Sequence, residues 1–454
     1  MSQRSFRFIH AEGFRLDRPL GGVAEVPDPL REVFLEAPYE AARRVFDAAL
    51  AEEVDFVLLC GDLVHPVQGG PRPLVWLVEQ FERLAGRETA VYWATGPADR
   101  RDLWPAGLEL PECVHEFPAG RVGHFDQQRD GQPLARISGA GYDRSRRVRP
   151  RDFRPDAAGL FSIAATGTTL SESKLARQGI DYWALGGRPD RATPTTTPSV
   201  VHWPGSPQGR SPRQTGAHGC TLVQVDETGQ PRSTLVATDV VRWYAERIVV
   251  DEVTTREDLH SLLLQRMQAI AETTPWHRRP AAEPSETTAW HRRPAGEPSE
   301  SSPWHRRPAG DLSLSLVTWT IAGTGPLMAA LRHGGLAGEL LESLRGRFGA
   351  TVPVVWTAAL VPEPATVLPP AWYEQETILG DYLRAVRQLQ ADTSEPIELE
   401  GVLSERHLAG TLAGEVSLAD PATRQRVLAH AALLGVDLLG ARQPPEGERK
   451  EAEA

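Results

Sequence analysis

The stretch FVLLCGDLVHP, residues 56–66, decides the fold of this chain. Its apolar run stops at Gly61, and a single carboxylate, Asp62, follows directly. A short apolar run that ends at a glycine predicts a buried strand. Ligands of open α/β sheets gather at the carboxyl ends of such strands, so the sequence predicts that Asp62 faces a metal ion or a phosphate.

Strands and helices alternate around this stretch. The segments SFRFIHA, VDFVLLCGD and TAVYWATG predict strands, while residues Tyr39 to Glu53 and the segment LVWLVEQFERLAG predict helices. From there to about residue 240, strands with short loops dominate. This order is typical of a layered α/β domain, and we expect stacked sheets with helices outside.

The composition is that of an ordinary globular chain. Its 454 residues are 41% hydrophobic, which is enough for two or three domains. The net charge of −11 argues against broad contact with nucleic acid, and the three cysteines lack the paired spacing of disulfide or zinc sites. No apolar run approaches the ~20 residues of a spanning helix, and the N-terminus lacks the apolar core of a signal peptide. We therefore expect a cytoplasmic protein with no membrane association.

Five strand ends carry a family resemblance. They are HAEGFRLD (10–17), CGDLV (60–64), ATGPADR (94–100), AATGTTL (164–170) and YWALGGRPD (182–190). In this order and spacing they resemble the five metal-binding blocks of the calcineurin-like metallophosphoesterases, and most closely those of bacterial DNA repair exonucleases of the SbcD/YhaO type. The resemblance implies an α/β fold, a four-layer αββα sandwich followed by a small α/β capping domain and C-terminal helices. It also implies metal-dependent hydrolysis of phosphodiesters as the family activity.

The metal-binding residues of that family are largely replaced in this sequence. The resemblance implies two divalent ions bridged by a carboxylate, with Asp, His and Asn ligands and a catalytic histidine. The corresponding positions hold Gly13, Arg15, Asp62, Pro97, Ala98, Asp99, Gly167, Gly187 and Pro189, and among the ligand positions only Asp62 keeps a ligand. Pro, Ala and Gly offer no side-chain donor, and an arginine is a permanent cation. We expect a degenerate site without catalytic residues or cofactor, in which Asp62 is at most a weak metal ligand.

Asp62 has two further interpretations. In the first, Glu12, Asp62, Asp99 and Asp190 form a shifted oxygen-rich site for Mg²⁺ or Mn²⁺. A shift of one residue along a strand turns a side chain to the other face, which argues against this site. In the second, Asp62 pairs with Arg15, which neutralises a carboxylate left without its cations. We favour the ion pair.

Other polar side chains near these blocks have simpler interpretations. We expect His65 to be a solvated loop residue rather than a ligand, and His10 and His202 to be satisfied core histidines. The loop GYDRSRRVRPRDFR is rich in arginine. Its arginines could contact phosphates of DNA without a metal ion, or could simply be solvated. The candidates for phosphate contact are Arg144, Arg146, Arg147 and Arg149.

Beyond about residue 240 a β-α-β-α-β run resembles the capping domain of the exonuclease family, with helices from Arg256 to about Glu272 and from Pro326 to Arg347. Three copies of a 14-residue repeat containing WHRRPA interrupt it, and their prolines predict an exposed, flexible loop. Its aromatic residues Trp276, Trp290 and Trp304 could stack on bases, and His277, His291 and His305 could bind a metal ion. The predicted domains are residues 1–240, 241–365 with the insertion at 272–313, and 366–454.

The last predicted helices bear on partners. A helix from Glu374 to Ala391 carries an apolar stripe, which could grip the coiled coil of an ATPase subunit or pack on the chain's own final helix, which begins near Pro421. Three functions follow. The favoured one is a non-catalytic subunit or regulator of a DNA-repair-type complex. The others are an active metal-dependent phosphodiesterase that uses shifted carboxylates, and a nucleic-acid-binding module.

Overall fold

The computed structural model describes residues 4–23, 26–251, 253–273, 314–323, 325–333, 335–348, 354–363, 368, 370–391 and 421–440. The chain divides into two compact units. The first consists of Met1–Tyr244, Ile270–Val317 and Ala350–Trp356, and the second of Ala245–Ala269, Thr318–Gly349 and Thr357–Ala454. The predicted three-domain division stays a prediction, and the WHRRPA motifs and the polar tail lie outside the described residues.

The first unit contains two six-stranded sheets. In chain order its strands are β1 Phe6–Ala11, β2 Phe56–Cys60, β3 Ala90–Ala94, β4 Val114–Glu116, β5 Gly123–Arg129, β6 Gln132–Ala140, β7 Phe161–Thr166, β8 Tyr182–Leu185, β9 Ala192–Thr195, β10 Val200–Trp203, β11 Gly219–Val225 and β12 Pro231–Ala237. The first sheet has the order β12-β11-β1-β2-β3-β4, and the second has the order β5-β6-β7-β8-β10-β9. The inner strands β1 to β3 and β6 to β8 run parallel, and antiparallel strands complete both sheets.

The strand β2 lies at the centre of the first sheet, as its sequence predicts. All five of its residues are buried, as expected for a parallel strand covered on both faces. Val57 and Leu59 pack toward the helices, while Phe56, Leu58 and Cys60 pack toward the second sheet. This alternation places β2 between two separate hydrophobic cores.

Aromatic rings fill the space between the two sheets. The ring of Phe8 stacks on that of Phe56 with centroids 4.7 Å apart, and it meets Tyr182 of the second sheet edge-on at 5.4 Å. Offset and edge-on pairs of this kind add to the burial of their area. The two sheets therefore pack face to face, and the predicted α/β sandwich is confirmed.

Two helices cover the outer face of the first sheet. They are α1 Asp28–Ala51 and α3 Pro71–Ala85, with the single turn α2 Pro66–Gly69 between them. The prediction that α1 begins at Tyr39 is wrong, because the helix continues through Pro38. A proline leaves the carbonyl four residues earlier without its helical donor. Here that carbonyl, on Phe34, accepts a hydrogen bond from the Leu20 N–H at 3.1 Å, which removes the penalty.

The outer face of the second sheet is covered differently. Trp183 and Trp203 form a buried cluster there with Phe153 and Leu175, which lie beside the single 3-10 turns Pro150–Asp152 and Glu172–Lys174. Among the described residues no α-helix belongs to this cluster. The fourth layer of the predicted sandwich is therefore made of short turns and loops.

The remaining elements follow β12. A three-stranded sheet has the order β13 Val241–Val250, β14 Leu314–Gly323 and β15 Val354–Pro362, and helix α4 spans Arg256–Thr273. The helix predicted from Pro326 to Arg347 is two helices, α5 Pro326–His333 and α6 Leu336–Phe348. The sequence HGG lies at the break, and glycine is a poor helix former.

The last two helices of the second unit pack on each other. Helix α7 spans Ile378–Ala391, and the segment predicted as its first turn contains the 3-10 turn Pro370–Glu374. Helix α8 spans Pro421–Gly440, as predicted. The buried stripe of α7 is Leu379, Leu383 and Val386, and it packs on Leu428, Ala432 and Val436 of α8. The chain's own final helix therefore covers the stripe. Among the described residues, no helix has both the length and the apolar character needed to cross a membrane.

Candidate functional site: the converging strand ends

The segments that follow β1 and β2 lie side by side at the carboxyl edge of the first sheet. The Gly13 N–H donates to Gly61 O at 2.9 Å, and the Arg15 N–H donates to Asp62 O at 3.0 Å. All four residues have positive φ, including Arg15 at 45° and Asp62 at 57°. Left-handed backbone at a non-glycine residue costs free energy and is concentrated at functional sites. The turn geometry therefore marks this edge as a specialised site.

Arg15 pairs with Asp17 and not with Asp62. Its Nη2 lies 2.8 Å from Oδ2 of Asp17, a carboxylate whose side chain is completely buried. Burial raises the pKa of Asp17, but the hydrogen bond and the charge of Arg15 outweigh it and hold that pKa below its usual value. The favoured ion pair between Arg15 and Asp62 is wrong, because the turn directs the guanidinium toward a carboxylate two residues along. Asp17 was not among the residues that the sequence motifs singled out.

Asp62 is held by the neighbouring strand end instead. Its Oδ1 accepts a hydrogen bond from the Ala98 N–H at 2.9 Å. Burial raises the pKa of Asp62, and the Ala98 N–H and the charge of Arg15 oppose that rise. Arg15 is thus close enough to stabilise the carboxylate electrostatically without forming an ion pair.

Asp99 is committed to the fold. Its Oδ2 accepts hydrogen bonds from the Leu63 N–H at 3.0 Å and the Trp93 Nε1–H at 3.2 Å, and its Oδ1 accepts from the Gly96 N–H at 2.5 Å. The residue is fully buried. Burial and the nearby charge of Asp62 raise the pKa of Asp99 to about 7. Asp99 therefore ties the ends of β2 and β3 together.

Glu12 is the third carboxylate of this edge. Its Oε2 accepts hydrogen bonds from the Gly187 and Arg188 N–H groups, and its Oε1 is buried without a hydrogen-bond partner. Burial raises the pKa of Glu12 well above its usual value, and the charge of Asp62 adds to the rise. The fourth member of the alternative site, Asp190, is exposed and lines a separate cavity beside His218. The charges of Glu12, Asp62 and Asp99 thus influence one another at this edge.

Glycines let the strand ends approach at backbone distance. A Cβ added at Gly167 would lie 2.6 Å from Thr95 O, and one added at Gly61 would lie 2.8 Å from the Cα of Gly167. A Cβ added at Gly186 would fall onto the carbonyl oxygen of Cys60. The backbone therefore occupies the space that a ligand side chain at Gly167 would need.

The other replaced positions are placed as follows. Pro97 is exposed, and Ala98 is buried and contributes its N–H to Asp62. The carbonyl of Pro189 accepts a hydrogen bond from the Ser206 N–H at 2.9 Å. Gly187 is exposed, and its N–H is bound to Glu12. None of these side chains has a metal-binding atom.

Arg210 holds the segment that carries Arg15. Its guanidinium donates to the carbonyls of Phe14 at 2.5 Å, Arg15 at 3.0 Å and Arg18 at 2.7 Å. Burial lowers the pKa of Arg210 to about 10. An arginine that binds three backbone carbonyls fixes the conformation of the turn, and no sequence pattern indicated this role.

The histidines have structural roles. His202 hydrogen-bonds with Thr193 and Thr221, both at 2.8 Å, and burial lowers its pKa to about 3. His10 is also fully buried and meets Tyr182 OH at 3.1 Å, but its Nε2 has no partner. The prediction of core histidines is confirmed, although only His202 has partners for both nitrogens. His65 caps α2 by accepting from the Gln68 N–H at 3.3 Å.

A pair of divalent ions does not fit this edge. Such a pair needs donor atoms from several side chains around two centres a few ångströms apart. The oxygens of Asp99 are taken by three N–H groups, and the backbone fills the position of Gly167. Within the described ranges, no group of three or more His, Cys, Asp or Glu residues is arranged to hold a metal ion.

The predicted phosphate-contact arginines lie beside this edge. The loop between β6 and β7 carries Arg144, Arg146, Arg147 and Arg149, of which the first three are exposed and Arg149 lies before the turn at Pro150. Two of them, Arg146 and Arg147, line a cavity of about 230 Å³ together with Thr168 and Thr169, which follow β7. Arg144 and Arg149 do not line it.

Comparisons with known proteins agree with this geometry. No family profile matches the chain. The chain is 31% identical over 232 residues to the uncharacterized metallophosphoesterase YhaO of Bacillus subtilis (strain 168), a match that covers 48% of this chain and 57% of that protein. The chain therefore spans little more than half the length of this relative. The crystal structure of TT1561 of Thermus thermophilus aligns with a TM-score of 0.29 and 12% identity over 51% of this chain and 98% of that one, which is too weak to carry an argument.

The class of the protein follows from the fold and the sequence match together. Two mixed sheets packed face to face, with ligand-type turns at the strand ends, form an α/β sandwich. The similarity to YhaO supports the metallophosphoesterase superfamily as the class of this protein.

Proposed function

We propose that this protein is a catalytically degenerate member of the DNA repair exonuclease type, acting as a non-catalytic subunit or regulator of a DNA-repair-type complex. The observation that carries the proposal is the approach of Gly167 to Thr95, where a Cβ would lie 2.6 Å from the carbonyl oxygen. A ligand side chain cannot be added there without moving the backbone that follows β3. Loss of a ligand position by backbone packing is not restored by a small shift of side chains.

The charge of the site supports the same proposal. Arg15 places a permanent cation near Asp62, and its pairing with Asp17 fixes that cation in place. A guanidinium can balance a carboxylate, but it cannot activate water as a metal ion does. The site thus has its charge balanced without metal-dependent chemistry.

The hydrolysis test uses a conservative variant. Purified protein with Mn²⁺ is assayed on bis(p-nitrophenyl) phosphate and on single-stranded DNA, beside Asp62→Asn, since asparagine tolerates left-handed backbone and keeps an acceptor for the Ala98 N–H. We expect the two proteins to show the same background rate. Turnover that requires Mn²⁺ and is lost in Asp62→Asn contradicts the proposal.

The second candidate is a metal-dependent phosphodiesterase that uses Glu12 and Asp62. Its specific support is the buried Oε1 of Glu12, which has no hydrogen-bond partner. In that case Glu12→Gln would remove Mn²⁺-dependent turnover as completely as Asp62→Asn.

The subunit role has its own test. Affinity purification of the tagged full chain from its native cells is expected to recover a coiled-coil ATPase. Recovery of the chain alone, under conditions that preserve known complexes of this size, would contradict the subunit role.

A further inference from the structure

A cavity opens at the carboxyl ends of β6 and β7, away from the three carboxylates. It encloses about 230 Å³ and is lined by Gly141, Tyr142, Asp143, Arg146, Arg147, Val148, Thr168, Thr169 and Leu170. The carboxyl ends of parallel strands are where α/β sheets bind ligands. The volume is below the ~300–1,000 Å³ of pockets that hold drug-sized molecules, so a small group suits it.

Two arginines provide the positive charge of this cavity. Neither Arg146 nor Arg147 forms a hydrogen bond or an ion pair through its guanidinium within the described part of the chain, and both are exposed. Guanidinium groups bind phosphate oxygens through paired N–H donors. These two side chains are therefore available for an anion.

The loop that carries the arginines is anchored on both sides. Phe153 is buried and meets the ring of Trp183 at 5.3 Å, and Val148 packs on the same cluster. At the start of the loop, Asp143 Oδ1 accepts from the Ser145 N–H and hydroxyl, both at 2.7 Å, and from the Arg146 N–H at 3.2 Å. The arginines thus project from a loop with a defined conformation, which reduces the ordering cost of binding.

The charge of the lining favours an anion. The hydrogen bonds from Ser145 lower the pKa of Asp143, so this carboxylate is ionised and already solvated by donors of its own loop. Two guanidinium groups against one carboxylate leave one net positive charge. Thr169 adds a hydroxyl and an N–H group that make no hydrogen bond within the described residues. Arginine, threonine hydroxyl and backbone N–H are the donors that proteins use for phosphate.

We propose that this cavity binds the terminal phosphate of a phosphate ester, held by Arg146, Arg147 and Thr169 without a metal ion. The inference deepens the proposed function and rests on it in one respect, namely that the phosphate ester is held and not cleaved. The ester could be the 5′ end of a single-stranded nucleic acid or a free nucleotide, since both present the same dianionic group.

The binding test uses fluorescence anisotropy in EDTA. The probes are a short single-stranded DNA with a 5′-phosphate and the same strand with a 5′-hydroxyl, and adenosine 5′-monophosphate is the competitor. We expect the 5′-phosphate strand to bind at least about tenfold more tightly than the 5′-hydroxyl strand. Arg146→Ala/Arg147→Ala should remove this preference. Arg151→Ala is the matched control, because Arg151 is exposed in the same loop but does not line the cavity.

Each outcome decides the proposal. Competition by the nucleotide together with a preference for the phosphorylated strand supports a nucleic-acid end as the ligand. Competition without that preference supports a free nucleotide. If the double variant binds both probes and the nucleotide as the wild type does, the proposal is overturned. Arg146→Lys/Arg147→Lys, which keeps the charges but loses the paired donors, should retain only part of the preference.

Failure of this inference differs from failure of the proposed function. Binding is measured without divalent ions, so cleavage cannot obscure it. Cleavage of the phosphorylated strand after addition of Mn²⁺ would contradict the proposed function and leave the binding result intact.

Discussion

Arg15 makes a two-point contact with Asp17, from Nε to Oδ1 at 3.2 Å and from Nη2 to Oδ2 at 2.8 Å. This is the paired geometry in which guanidinium and carboxylate interact most strongly. It leaves Asp62 to accept a hydrogen bond from the Ala98 N–H. The position that is a metal ligand in the resembling family is thus stabilised here by a cation at a distance and a backbone donor at close range.

The choice of partner predicts how substitutions combine. In a double-mutant cycle with Arg15→Gln and Asp17→Asn, we expect a coupling free energy of about 1–3 kcal/mol, because the two side chains share a half-buried ion pair. The matched cycle with Arg15→Gln and Asp62→Asn should give less than half of that value. Urea unfolding of the four proteins in each cycle measures both. A larger coupling with Asp62 would restore the ion pair that the sequence favoured.

The raised pKa of Asp99 predicts a dependence of stability on pH. Folding raises this pKa from 3.8 to about 7, first through burial and then through the charge of Asp62. Between these values the folded protein keeps a proton that the unfolded chain has lost, so the free energy of unfolding falls as pH rises through this window. We expect Asp99→Asn to lose less stability than the wild type between about pH 5 and about pH 8 in urea unfolding.

The control for this experiment is Asp130→Asn. Asp130 is exposed in a hairpin turn with φ of 54°, a conformation that asparagine also tolerates. This variant should follow the pH dependence of the wild type. If Asp99→Asn follows it as well, Asp99 does not carry a proton in the folded protein at mildly acidic pH.

The contact between α7 and α8 predicts opposite results for two apolar residues of one helix. Leu383 is fully buried against α8, and Leu383→Ala should lower the free energy of unfolding by about 2–4 kcal/mol. Ile378 is 76% exposed, and Ile378→Ala should change it by less than about 0.5 kcal/mol. Thermal or urea unfolding compares the two. Equal, small effects would free the stripe of α7 for a partner.

A glycine of α8 predicts a destabilising alanine. A Cβ at Gly435 would fall onto the ring of Tyr382, whose hydroxyl donates to Ala431 O at 2.7 Å. Gly435→Ala should therefore lower the melting temperature, at a cost of about 1–3 kcal/mol, although alanine is the better helix former. Gly338→Ala in α6 is the control, since a Cβ there meets nothing within 4 Å and should stabilise by up to about 1 kcal/mol. A stabilising effect at both positions would mean that α7 and α8 do not pack as described.

The sequence by itself determined the sandwich and the composition of its edge. The apolar run of β2 specifies a buried strand because its five residues must all leave water, and this requirement is local to the segment. The glycines and prolines at the strand ends likewise declare the absence of donor atoms, because side-chain chemistry does not depend on the fold. From residues alone it was therefore possible to place Asp62 at the carboxyl end of a central strand.

Only the tertiary structure decided which groups meet. Arg15 pairs with Asp17 because two left-handed turns run side by side, and α1 continues through Pro38 because the Leu20 N–H reaches the carbonyl of Phe34. The apolar stripe of α7 has an occupant because α8 folds back on it, and Arg146 and Thr169 line one cavity that two separate segments enclose. Each of these contacts joins residues whose relation depends on the path of the backbone, and hydrophobic periodicity specifies which face is buried but not what buries it.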